Sequence, residues 1–188
     1  MVGVNGLDSS LLIAMPQLQD PNFNRCVILL VEHGAEGALG LILNRPVELK
    51  ASDLCASLDV QWRGNPSARI HWGGPVQPNT GWVLFSDEAH LVFDDDQVTP
   101  LDNGLRFAGS LDVLHAVAEK PPSLVQFFLG YAGWGAGQLE DELAAGAWLL
   151  VEGSADKVSG VPPEQMWEHV VRGLGVEPSS LVPTQGVH

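Results

Sequence analysis

The sequence predicts an α+β fold, one domain over residues 1–188 built on a mixed or antiparallel sheet. Apolar, β-branched-rich runs come in neighbouring pairs, at 26–32 and 38–44 and again at 68–72 and 81–85, where a doubly wound sheet would alternate strand and helix. Helical patterns stand singly between the later runs. The totals agree, because 188 residues with 45% hydrophobic and 17% charged side chains suit one globular core.

Residues 11–15 ("LLIAM") read as a buried strand closed by Pro16, and Asp20-Pro21-Asn22 as a turn. The runs 26–32 and 38–44 flank "HGAEG", a hairpin with a five-residue connection in which Glu32 faces Ala38 and Cys26 faces Asn44. That register puts Glu32-His33 about 20 Å from Asn44-Arg45 at a rise of about 3.3 Å per residue. Arg45 is then expected to meet the Asp20 loop as a structural ion pair. Pro46, without an N–H, is expected to end the second strand. Ser52 is expected to cap a helix over 52–58 that carries Leu54 and Leu58.

Residues 68–72 and 81–85 flank "GGPVQPNT", a second hairpin with a wider loop. Residues 87–104 read as one edge strand followed by turns, the clearest at Asp102-Asn103-Gly104. Ser110 is the N-cap of a helix over 110–120 with Leu111, Leu114 and Ala118 on one face. A buried strand at 123–130, a short helix at 137–146 and a strand at 147–152 follow. The last helix, 162–176, has Pro163 in its first turn and a stripe of Met166, Trp167, Val170, Val171 and Leu174.

Nine basic residues stand against twenty-three acidic ones, a net charge of −14. Polyanions bind through clustered Lys and Arg, so direct nucleic-acid binding and adhesion to anionic membranes are disfavoured. No duplex DNA complex is expected at low salt, where attraction is greatest; a micromolar complex that weakens with added salt would refute this. Cys26 and Cys55 fit neither a CxxC nor a zinc spacing and read as buried reduced thiols. The five-residue apolar run at 11–15 is too short for a signal peptide or a membrane span, so a cytoplasmic protein is expected. No GxSxG, P-loop or HExxH occurs, and Asp94–Asp96 lacks the spacing of a calcium loop. No catalytic residue, metal ligand or cofactor is therefore expected.

The stretch "GYAGWGAGQLEDELAAGAWLLVE", 130–152, invites comparison with a dinucleotide fingerprint, since Gly133-Trp134-Gly135 follows a strand and Glu152 ends the next. Gln138 stands where that fingerprint needs Gly or Ala, and Glu140, Asp141 and Glu142 occupy the helix start that a phosphate would use. The packing reading is preferred: glycines bring the chain close to a buried Trp134, and Leu139 and Leu143 cover one helix face.

Several stretches together resemble the YqgE/AlgH family of bacterial proteins: "LLIAMPQLQDPNF", "EHGAEGALGLILNRP", "GGPVQPNTGWVLF", "GYAGWGAGQLEDELAAGAW" and "MWEHVVRGLGVEPSSL". The resemblance implies an α+β domain whose branched sheet includes a small closed barrel surrounded by helices. It also implies a transcriptional-regulator label derived from the genetics of alginate production, with no established catalytic residues to carry over. Its pattern falls here on Asp20, Asn44, Arg45, Gly73 and Gly74, and on Trp134, Gly137, Gln138, Glu140 and Trp148. Thr80 and Phe85 replace an arginine and a histidine frequent in the family. Two functions remain open at this point. One is a non-enzymatic cytoplasmic regulator working through a protein partner. The other is a small-ligand or anion binder, or an enzyme, with a pocket near Asp20/Arg45 or near Gly73-Gly74, whose N–H groups could turn toward an anion.

Overall fold

The structure, a computed structural model, describes residues 9–18, 20–152 and 160–181. It is a mixed α+β protein organised in two compact units: the described residues up to Asn44 with those from Ala132 onward, and Arg45–Tyr131.

The first unit carries strands β1 (Leu11–Ala14), β2 (Val27–Gly34), β3 (Gly37–Ile42), the end of β9 (Val125–Gly135) and β10 (Trp148–Val151). They form an antiparallel ladder in the order β10-β1-β2-β3-β9. All of β1 and the first five residues of β2 are buried, which is why these runs are continuously apolar rather than alternating. Helix α4 (Pro163–Gly173) buries Met166, Trp167, Val170 and Val171, and its Trp167 Nε1 donates to the Ala14 carbonyl at 2.8 Å. Leu174, expected in that stripe, lies past the helix and is 41% exposed. A one-turn helix, α5 (Pro178–Leu181), follows.

The hairpin connection is two residues, 35–36, rather than five, because β2 continues through Gly34 and Gly37 supplies a positive φ of 135°. An irregularity between Leu30 and Glu32 shifts the register, so Glu32 faces Leu39 instead of Ala38. Pro46 does not close β3, which stops at Ile42; it opens a further strand, β4 (Pro46–Lys50), a position that needs no N–H from it.

The second unit holds β4, α1 (Ala51–Ser57), β5 (Arg69–Trp72), β6 (Val76–Ser86), β7 (Thr99–Pro100), a 3-10 turn (Asp102–Gly104), β8 (Leu105–Ala108), α2 (Leu111–Glu119) and the first part of β9. The expected β5–β6 hairpin does not form. β9 lies between them, parallel to β5 and antiparallel to β6, so that His71, Phe128 and Trp82 sit opposite one another. The apolar 125–129 run covers both neighbours and leaves Phe128 fully buried. Within 87–104, where one edge strand and turns were expected, the strand is the two-residue β7; its partner β8, which also pairs with β6, lies beyond that stretch at a place the sequence reading assigned to no element. The order β4-β5-β9-β6-β8-β7 is an open path, as is that of the first unit, so the described ladders do not trace the closed barrel implied by the resemblance.

Helix α1 begins at Ala51 after Lys50 with no side-chain cap, so Ser52 lies inside it; Ala51 and Cys55 face the core while Leu58 is 38% exposed. Burial pushes the Cys55 thiol pKa up. In α2 the Ser110 hydroxyl accepts from the Asp112 N–H at 3.1 Å, as expected. Its buried face is Val113, Leu114, Val117 and Ala118, and Leu111 points out at 58% exposure because the core begins further along the helix. Both helices pack with Ile70, Val83, Phe85, Ala108 and Phe127 in one apolar cluster.

Candidate functional site

In the first unit the pairing of β3 with β9 sets Gly37 opposite Gly135 and Ala38 opposite Trp134. Gly133 and Gly135 thus lie within β9, and the turn comes at 136–137, where Gly137 with φ 76° opens helix α3 (Gln138–Ala144). Three α3 side chains then bind back. Gln138 Oε1 accepts from the Gly135 N–H at 3.0 Å. Glu140 Oε1 lies 2.5 Å from His33 Nε2 at the end of β2. Glu142 Oε2 accepts from the indole N–H of Trp134 at 2.8 Å and of Trp148 at 3.4 Å. The two indoles meet edge to face with centroids 5.9 Å apart. A Cβ at Gly40 would stand 2.5 Å from the Ile28 side chain and 3.1 Å from the Leu29 carbonyl oxygen, so glycine there lets β3 lie close to β2, with the Trp134 ring at an ordinary contact distance of 3.4 Å.

Its own backbone N–H and then His33 hold the Glu140 carboxyl below its ordinary pKa. A histidine oriented by a carboxylate can act as a general base only if its other nitrogen reaches a substrate. Here that nitrogen, Nδ1, is buried without a partner and the side chain is 10% exposed. The arrangement therefore locks α3 onto the hairpin. The sequence reading missed it, assigning Glu140 to the helix dipole alone; the signal available was that both residues lie in the segments carrying the family resemblance.

The other residues singled out are distributed as follows. Asp20 is exposed, its Oδ1 accepting from the Asn22 N–H at 2.9 Å, and Asn44, 6% exposed, accepts from the Val27 N–H and donates to the Arg25 carbonyl, both at 3.0 Å. Both belong to the first unit. Arg45 belongs to the second, where its carbonyl accepts from the Trp72 N–H at 2.8 Å. Gly73 and Gly74 are buried, with the Gly73 N–H donated to the Leu129 carbonyl at 2.7 Å. Thr80 is hydrogen-bonded to Gln77 at 3.3 Å, and Phe85 is core. No group of three His, Cys, Asp or Glu able to hold a metal occurs among the described residues, and none of their helices is long and apolar enough to cross a membrane.

His71 carries a testable consequence. Burial first, and then the Arg69 guanidinium, push its imidazole down from 6.5 to about 4. The folded chain keeps the neutral form while the unfolded chain takes a proton, so the stability is whole above pH 6.5 and falls as pH drops toward 4. At about 1.4 kcal/mol per pH unit the loss reaches roughly 3 kcal/mol. His71→Asn should flatten that slope in urea unfolding at pH 7 and 4.5. Equal losses in parent and variant would show that His71 is not its source.

Also in the second unit, an apolar cavity of ≈ 240 Å³ opens between α1 and α2, its lining including Leu54, Leu58, Leu111, Leu114 and Trp82. Trp82 stacks on Phe107 at 5.0 Å and meets Tyr131 edge-on at 6.1 Å. A Cβ at Gly109 would come within 2.8 Å of the Trp82 ring, so the indole lies against bare backbone. Sequence reasoning did not find this groove, because it expected Leu111 and Leu58 to be covered.

Fold and site together define a mixed α+β protein with one helix clamped to a hairpin by carboxylates and an open apolar groove on its second unit. The AlgH-like family matches residues 11–179, and the chain belongs to that family. It is 39% identical to a UPF0301 protein of Myxococcus xanthus over 98% of this chain and 100% of that one. It is 42% identical to one of Alcanivorax borkumensis, covering 97% of this chain and 96% of the relative. The solution structure of the AlgH protein from Pseudomonas aeruginosa is similar at a TM-score of 0.74 and 36% identity, over 97% of this chain and 96% of that one. A crystal structure from Corynebacterium diphtheriae, 23% identical at TM-score 0.73, shares the fold; the alignment covers 97% of this chain and 93% of that one.

Proposed function

We propose that this protein is a non-enzymatic cytoplasmic regulator that acts by binding another protein. The observation that supports it is the groove between α1 and α2, an apolar opening bordered by Leu58 and Leu111 at 38% and 58% exposure. Exposed apolar surface around a concavity is what protein docking buries. The net charge of −14 supports an effect on transcription that runs through a protein rather than through DNA contact.

A photo-crosslinking amino acid at position 111 in the host cell tests this, with Val92, 85% exposed, as the control position. A discrete adduct with one other protein is expected at 111 and not at 92. Equal labelling at both positions, or a small-molecule adduct alone, would refute the proposal.

A further inference from the structure

We infer that the groove between α1 and α2 binds a cationic peptide segment of the partner, with one large apolar residue seated in the cavity and Lys or Arg beside it. This rests on the protein-binding function proposed above and adds the chemistry of the partner.

Size decides first. A cavity of ≈ 240 Å³ exceeds the roughly 150 Å³ that accepts benzene and falls short of the roughly 300–1,000 Å³ of cofactor and drug-sized pockets. One aromatic or leucine-sized side chain fits it. Leu58 and Leu111 extend past such an anchor at 38% and 58% exposure, so the occupant must continue beyond the cavity, as a peptide does and a small ligand does not.

Charge decides the rest. Three of the lining leucines stand next in sequence to an exposed carboxylate: Asp53 precedes Leu54, Asp59 follows Leu58 and Asp112 follows Leu111. Neither helix contains a Lys or Arg: Lys50 precedes α1, Lys120 follows α2, and the one basic-type side chain within them is His115 of α2. An apolar hole whose two helical walls carry three exposed acids, on a chain of net charge −14, attracts cations and repels acidic partners, including a second copy of itself.

The test uses the full chain and two 14-residue amphipathic probe peptides, one of Leu and Lys, the other of Leu and Glu. Backbone amide NMR should show the Leu–Lys peptide shifting Gly81, Gly109, Ser110 and Leu111, with no response to the Leu–Glu peptide. Leu111→Asp is the deciding variant, because it adds an acid while removing an apolar contact. Groove docking predicts at least a tenfold weaker Kd with the melting temperature unchanged; plain charge attraction predicts equal or tighter binding. Leu58→Asp supplies the same comparison if the first variant is unstable. The inference is overturned by no binding, by equal binding of both peptides, by unweakened binding to the Asp variants, by groove-mediated self-association in sedimentation, or by shifts centred instead on the first unit's cavity at His169 and Leu174. A protein adduct at position 111 together with no Leu–Lys binding would overturn the cationic chemistry and leave the protein-binding function standing.

Discussion

Trp134→Ala is expected to destabilise the protein by about 3–5 kcal/mol, the range for emptying an aromatic site in a core. The indole is 7% exposed, meets Trp148 at 5.9 Å, donates to Glu142 at 2.8 Å and rests over Gly40. Losing it removes the packing and one of the two donors on Glu142, which keeps only the longer bond from Trp148 at 3.4 Å. Trp134→Phe is the intermediate case: it keeps a six-membered ring but loses the rest of the indole and its hydrogen bond to a carboxylate, at an expected cost of about 1.5–3 kcal/mol. Urea unfolding of both variants is the measurement. A loss below about 1.5 kcal/mol for the alanine variant, inside the range of an ordinary surface or small core change, would mean that Trp134 does not hold this region together.

Gly130→Ala should cost about 2–6 kcal/mol, the sum of roughly 1–3 for a strained φ and roughly 1–3 for overpacking. Gly130 has φ 74° inside β9. A Cβ there would run into the Gly74 carbonyl and stand 3.2 Å from both the Pro78 Cα and the Val76 carbonyl oxygen, all backbone that cannot rotate aside. Gly137→Ala is the matched control, with φ 76° and open space around its Cβ, so only the roughly 1–2 kcal/mol of left-handed strain applies. If the two variants lose equal stability, the clash at Gly130 is relieved elsewhere and the close approach of the chains does not constrain the fold.

The elements were largely legible because each depends on a short window. The continuous apolar runs at β1 and β2, the Ser110 cap and the α4 stripe through Val171 are local patterns with local causes. The errors fall at ends and partners. Pro46 was read as a stop because a proline both ends and begins strands, and which it does depends on whether β5 is there to pair with it. The bulge after Leu30 left no trace in the alternation, since that part of β2 is buried on both faces.

The sequence by itself determined the α+β class, the central strands, the acidic surface and the burial of Trp134, because hydrophobic periodicity, glycine placement and net charge are sums over residues that need no partner. Tertiary structure alone decided that β9 runs between β5 and β6, that His33 meets Glu140 across 107 residues of chain, and that Leu58 and Leu111 border an open groove instead of filling a core. Pairings of that span are chosen by which apolar strand best covers its neighbours once the whole chain has collapsed. An apolar residue carries the same local pattern whether the neighbour that covers it lies in its own chain or in another molecule.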